Sequence, residues 1–160
     1  MRVVPIRPEP RDQVYQALLA FCAEEAEQFS LTWHDQLRFD PEAGHILQSL
    51  LRFQMRSVRT SRWPANQLIG HSATVRRFRS NPKSVAVLRA NAWGLYDWQA
   101  PRLPEDLAFY DAQGHWWLAS VAHERDSFLR PDLVDLDRLR AAVPGLDLGR
   151  ETVWPEEWAG

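Results

Sequence analysis

The middle third of the chain carries positive charge only. Residues 43–96 contain nine Lys or Arg and no Asp or Glu, whereas residues 1–42 hold eight acids and four bases and residues 97–160 hold thirteen acids and six bases. Ionised side chains are almost never fully buried unless they are paired. The nine bases are therefore expected either to reach the surface as one patch or to pair with the acids of the flanking segments in the folded state.

Arginine dominates this basic segment. Its bases are Arg52, Arg56, Arg59, Arg62, Arg76, Arg77, Arg79, Lys83 and Arg89. The planar guanidinium group matches phosphate and carboxylate, so this composition favours recognition of an anionic partner. The alternative is internal pairing, and the chain as a whole has one Lys against eighteen Arg, which weakens the preference as a functional signal.

Length and composition favour one compact domain over residues 1–160. The chain has 160 residues, of which 45% are hydrophobic, and a chain of this size buries roughly 70% of its unfolded surface. No apolar run approaches the roughly 20 residues of a membrane span, and the N-terminus lacks a secretory pattern. With Cys22 as its single cysteine, the chain forms no internal disulfide. We expect a cytoplasmic protein without a membrane partner.

Hydrophobic periodicity predicts an α+β fold with three to four helices and a small, mostly antiparallel sheet. Helices are expected over residues 11–27, 41 to about 56, 83–93 and 131–142, and strands over residues 3–6, 29–33, 72–79, 107–110 and 115–121. The last two strands are expected to form a hairpin around the loop at 111–114. Along strand 72–79, alternation places Arg77 and Arg79 on one face and Arg76 on the other.

The connection after the second predicted helix is the better candidate for binding. Arg52 and Arg56 are expected at the C-terminal end of that helix, where cations favour the helix dipole and need no functional explanation. Arg59 and Arg62 are expected in a loop that closes on Trp63 and Pro64.

Two consecutive tryptophans in the predicted hairpin raise the question of an exposed ring. Neighbouring residues of a strand point to opposite faces, so Trp116 and Trp117 cannot share one core. One alternative is that the outward ring is covered, either by the second helix or by the C-terminal tail, residues 147–160, which carries Trp154 and Trp158. The other alternative is that the outward ring forms a stacking platform. An arginine surface with an exposed tryptophan suits single-stranded nucleic acid or a protein hot spot. The predicted surface for an anionic partner comprises Arg59, Arg62, Arg77, Arg79 and Trp116.

Four short motifs resemble those of a family of small bacterial proteins. They are Trp-Pro at 63–64, Gly-His at 70–71, Leu-Pro-Glu-Asp-Leu-Ala-Phe at 103–109 and Ser-Val-Ala-His-Glu at 120–124. The resemblance runs from about Phe29 to Phe128, and some members of that family carry a sporulation-protein label. It implies a shared fold and a shared site, without a reaction.

His123 and Glu124 are the most suggestive catalytic pair because they follow the tryptophan-rich strand. They would act together only if the backbone bends there, or if each works with Glu105, Asp106 or His71. A histidine with two carboxylates can bind a metal or perform acid–base catalysis. The alternative is a histidine in a loop hydrogen bond and a glutamate paired with an arginine.

Glu105 and Asp106 also have more than one interpretation. After Pro104 they can accept backbone N–H groups and organise a turn, or they can receive one of the central arginines. No metal and no cofactor are expected, because the chain lacks His-x-x-x-His, Cys-x-x-Cys and His-Glu-x-x-His spacings and glycine-rich phosphate loops. Cys22 is expected on the apolar face of the first helix, where its thiol is inert.

Three hypotheses for function follow. The leading one is a non-enzymatic binding protein whose basic, Trp-containing surface engages an anionic macromolecule, either nucleic acid or an acidic protein. The second is an immunity-type or antitoxin-type protein that occludes a protein partner. The third is a small enzyme centred on His123, with Glu124, Glu105 or His71.

Overall fold

One large antiparallel sheet organises the molecule. The computed structural model describes residues 1–155. The strands are β1 (Arg2–Pro5), β2 (Gln28–His34), β3 (Gln54–Thr60), β4 (Arg62–Trp63), β5 (Asn66–Gln67), β6 (Ala73–Arg79), β7 (Glu105–Tyr110), β8 (Trp116–Val121), β9 (Asp126–Leu129) and β10 (Thr152–Val153). Eight of them form a sheet in the order β10-β1-β9-β8-β7-β2-β6-β3, and β4 and β5 form a separate hairpin. The α+β prediction is confirmed.

Four helices pack together and share the main core with one face of the sheet. They are α1 (Asp12–Glu25), α2 (Pro41–Leu50), α3 (Pro82–Asn91) and α4 (Leu136–Ala142). Strand alternation supplies this face with Phe29, Phe78 and Phe109, which belong to the same apolar cluster as Leu18 and Leu88 of the helices. Within residues 1–155, no helix combines the length and the apolar character needed to cross a membrane.

The first helix shows how the apolar spacing determines its orientation. Leu18, Leu19 and Cys22 of α1 are all fully buried, as the helical spacing predicts. Burial raises the pKa of the Cys22 thiol well above its ordinary value, because a thiolate would lose its hydration. The expectation of an inert thiol agrees with this environment.

The opposite face of the sheet is covered by the β4–β5 hairpin and by the C-terminal segment. Trp63 of β4 packs over Ala73 and Val75 of β6. Trp154 lies against Phe128, with ring centroids 4.4 Å apart, in contact with a small apolar cluster that contains Trp116. The described part of the tail therefore packs on the domain, where β10 pairs with β1. Trp158 lies outside the described residues.

The prediction for residues 51–60 was wrong. Helix α2 ends at Leu50, a single 3-10 turn covers Leu51–Phe53, and residues 54–60 form strand β3 instead of a helix end and a loop. Pairing with β6 satisfies the inner backbone edge of β3. Its five central residues are exposed, so this strand lacks the apolar alternation by which a half-buried strand is recognised.

Candidate functional site

A β-bulge brings two consecutive acids to the same part of the sheet. The pairing of β2 with β7 shifts register between Ser30 and Thr32, opposite the start of β7. Asp106 takes up the extra residue with a left-handed φ of 56°, a conformation that aspartate tolerates better than most residues. Glu105 and Asp106 are consequently both buried, at 5% and 1% exposure, although adjacent strand residues normally face apart.

Glu105 meets His34, the last residue of β2. His34 Nε2 lies 2.7 Å from Glu105 Oε2, and both side chains are at least nine-tenths buried. The contact is off the ring N–H axis, so Nε2 makes no aligned hydrogen bond. The His34 and Trp63 rings are nearly perpendicular, with centroids 5.2 Å apart, so the β4–β5 hairpin packs directly on this pair.

Asp106 ties three segments together through its carboxylate. Trp63 Nε1 and Asn66 Nδ2 donate to Oδ2 at 2.7 and 2.8 Å, so both strands of the β4–β5 hairpin are held. The backbone N–H of Ala122 donates to Oδ1 at 3.0 Å. Of the two interpretations of these acids, acceptance of backbone N–H groups is supported, since Ala100 also donates to Glu105. Neither acid receives a central arginine among the described residues.

The ionisation of this cluster follows from its contacts. The contact with Glu105 raises the pKa of His34 against the opposing effect of burial. Burial disfavours the charged form of Glu105, but the neighbouring His34 outweighs it and lowers the pKa of that carboxyl. Burial raises the pKa of Asp106, and the hydrogen bonds from Ala122 and Trp63 partly offset this.

His123 and Glu124 do not join the cluster. They lie in a 3-10 turn after β8, with side chains 44% and 60% exposed and 3.7 Å between His123 Nε2 and Glu124 Oε1. His71 lies elsewhere, in an open depression where it contacts Gln36. The carboxylates named for the enzyme hypothesis therefore do meet a histidine, but it is His34. Sequence reasoning missed His34 because strand pairing brings it to Glu105 across 70 intervening residues.

Three arginines line one groove beside the hairpin. Arg56, Arg62 and Arg77 surround a cleft of about 180 Å³ whose floor includes Tyr110. Arg56 stands directly opposite Arg77 in the β3–β6 register, and the Arg77 guanidinium lies 3.9 Å above the Tyr110 ring. Arg79 follows Arg77 by two residues and shares its face, as the alternation predicts. We call Arg56, Arg62, Arg77 and Arg79 the basic face.

Two residues of the predicted binding surface lie elsewhere. Arg59 pairs with Thr74 in register, so it points to the face opposite Arg77, and its Nε donates to Asp35 at 2.8 Å. Trp116 is 1% exposed, which removes it as a stacking platform. Trp117 is also buried, on the helix side, so both rings serve packing and the outward one is covered by the hairpin and the tail.

The acids of the flanking segments pair mainly with bases of the flanking segments. Such pairs include Arg7–Asp126, Arg11–Asp97, Arg130–Asp132 and Arg138–Glu25. Of the bases in residues 43–96, Arg59 has an acid partner in Asp35, whereas no acid of the described chain pairs with the exposed Arg56 or Arg79. Internal neutralisation therefore does not account for the whole basic segment.

Three of the four motifs of the predicted family resemblance converge on Asp106, whereas the Gly-His motif at 70–71 lies elsewhere. The Trp-Pro motif supplies Trp63, the Leu-Pro-Glu-Asp motif supplies Asp106, and the Ser-Val-Ala-His-Glu motif supplies the N–H of Ala122. Comparison with known proteins finds no matching family model, curated protein or solved structure. The resemblance stays a prediction, and function has to be argued from the geometry of this chain.

Proposed function

We propose that the chain is a non-enzymatic binding protein whose basic face and edge strand β3 engage an acidic protein segment. The observation that carries the proposal is β3 itself. It is a seven-residue strand at the end of the sheet, with residues 55–59 exposed and Arg56 without an acidic partner in the described chain. An open strand edge offers a row of backbone donors and acceptors to another chain.

The surroundings of β3 favour a protein partner over a nucleic acid. Single-stranded nucleic acid needs aromatic faces on which bases stack. The rings nearest the arginine groove, Tyr110 and Trp63, are 1% and 4% exposed. Met55 and Val58, by contrast, are 49% and 37% exposed on the strand itself. An added strand with acids and apolar residues matches this mixture, because main-chain hydrogen bonds provide affinity and side-chain contacts provide selectivity.

A second copy of the same chain is a poor occupant of this edge. Symmetric pairing of two β3 strands would bring Arg56 and Arg59 of each chain close to those of the other. Like charges across a strand pair are destabilising. An acidic segment reverses the sign of that interaction, and an immunity-type protein that occludes an acidic partner would use the same surface.

The test uses fluorescence anisotropy with a labelled peptide that alternates Glu with Val and Thr. The double variant Arg56→Gln/Arg79→Gln should weaken binding at least about tenfold in 50 mM NaCl, since each lost guanidinium–carboxylate contact is a charge-assisted hydrogen bond. The control Arg138→Gln/Arg140→Gln removes the same charge from exposed residues of α4 and should leave affinity within about twofold.

Three results would contradict the proposal. The wild-type protein could fail to bind the acidic peptide, or both double variants could weaken it equally, which would indicate unspecific charge attraction. Tighter binding to labelled single-stranded or double-stranded oligonucleotides, with a steep salt dependence, would identify nucleic acid as the partner instead.

A further inference from the structure

His34, Glu105 and Asp106 form a ligand set that the sequence spacing conceals. Each offers one nitrogen or oxygen atom, and these three atoms all lie within 4.8 Å of one another. The histidine comes from the end of β2 and the two carboxylates from the bulge at the start of β7. The set is separate from the basic face and does not depend on the proposed function.

The contact between His34 and Glu105 is close but poorly aligned for a hydrogen bond. Nε2 and Oε2 are 2.7 Å apart, yet the ring N–H does not point at the carboxylate. When two donors bind one ion, their lone pairs converge on a common point beside the line that joins them. A close approach without alignment is expected in that case, whereas a hydrogen bond requires alignment.

A further buried polar atom on the same face has no partner. Thr32 is fully buried, and its hydroxyl makes no hydrogen bond in the described structure. Thr32 precedes His34 by two residues on β2, so both side chains leave the same face of the strand. Glu105 stands opposite Thr32 in the strand register. A buried hydroxyl without a partner is unfavourable, and a ligand on this face would satisfy it.

The two carboxylates keep acceptor capacity and are held in place from outside. A carboxylate offers about four acceptor positions. Asp106 uses three, for Trp63, Asn66 and Ala122, and Glu105 accepts one hydrogen bond, from Ala100, besides its contact with His34. Metal-binding carboxylates are typically oriented by such outer hydrogen bonds.

We propose that His34, Glu105 and Asp106 bind a divalent transition-metal ion of the Zn²⁺ class, with the Thr32 hydroxyl on the side of the ion that these three ligands leave open. Zn²⁺ accepts both imidazole nitrogen and carboxylate oxygen as ligands, and the nitrogen ligand disfavours Ca²⁺ and Mg²⁺. The bound ion would join the ends of β2 and β7 directly beneath the β4–β5 hairpin.

The experiment titrates untagged, chelator-treated protein with ZnCl₂ by isothermal calorimetry, with CaCl₂ in parallel. We expect one Zn²⁺ per chain and no saturable Ca²⁺ binding. His34→Gln and Glu105→Gln should each weaken Zn²⁺ binding at least tenfold. His115→Gln is the matched control, because His115 is 58% exposed beside Asp111 and represents an ordinary surface histidine.

The position of the bound ion is tested separately, in case a variant fails to fold. Circular dichroism and urea unfolding of each variant establish that its fold is intact. A crystal of the wild-type protein grown with Zn²⁺ should give an anomalous peak within bonding distance of His34 Nε2 and a Glu105 oxygen. A peak elsewhere, unchanged affinity in a folded His34→Gln variant, or no stoichiometric Zn²⁺ binding by the wild type would each overturn the proposal.

Discussion

Asp106 is a buried residue with a positive φ, and both properties serve the same contact. The left-handed backbone creates the bulge, and the bulge turns the carboxylate toward Trp63 and Asn66 of the hairpin. Sequence reasoning identified Glu105 and Asp106 as candidates, since paired acids after a proline are noticeable. It could not identify their partner, because nothing local to His34 indicates which strand will pair with β2.

Asp106→Asn should destabilise the protein by roughly 2–3 kcal/mol in buffer with chelator. Both carboxylate oxygens accept hydrogen bonds, so in either orientation the new amide places its NH₂ group against a donor, either Ala122 or the hairpin. Urea unfolding measures the change. Asp126→Asn is the control, because its exposed ion pair with Arg7 contributes at most about 1 kcal/mol. Equal effects of the two variants would show that Asp106 is not a special anchor.

At the scale of elements, the sequence was informative where an element buries at least one face. Helix α1 was predicted because its apolar residues recur with a helical period. The hairpin of β7 and β8 was predicted because two apolar runs flank a loop that contains Asp111 and Gly114, and both strands are buried on both faces. Strand β3 was not, because both of its faces are exposed and its register is imposed by β6. An edge strand without a buried face carries little of the pattern from which strands are recognised.

Two helix starts that look alike in the sequence differ in the structure. Asn81 and Asp40 both stand at an N-cap before a proline, but Asn81 accepts from Lys83 and Ser84, whereas Asp40 makes no side-chain capping bond. Asn81→Ala should therefore cost about 1 kcal/mol of unfolding free energy and Asp40→Ala at most a few tenths. Thermal and urea unfolding of both variants provide the measurement. A larger loss in Asp40→Ala would contradict the observed capping.

Across the whole molecule, charge is segregated rather than cancelled. Several acids of the flanking segments pair with bases of the same segments, whereas Arg56 and Arg77 stand opposite each other at one end of the sheet. Such a like-charge pair weakens the fold in isolation. The Arg56–Arg77 pair is explained if the basic face binds a partner, since binding sites commonly retain features that reduce stability.

This arrangement predicts two arginine substitutions with opposite effects on stability. Arg56→Gln should raise the unfolding free energy in 20 mM salt by a few tenths to about 1 kcal/mol, because it removes repulsion from Arg77. Arg138→Gln should lower it by a similar amount, because Arg138 pairs with Glu25 at 2.6 Å on the surface. Both changes in unfolding free energy should shrink in 0.5 M NaCl, where the Debye screening length falls to about 4 Å. Urea unfolding at the two salt concentrations measures all four values, and a destabilising Arg56→Gln would mean that Arg56 has a favourable role within the folded chain itself.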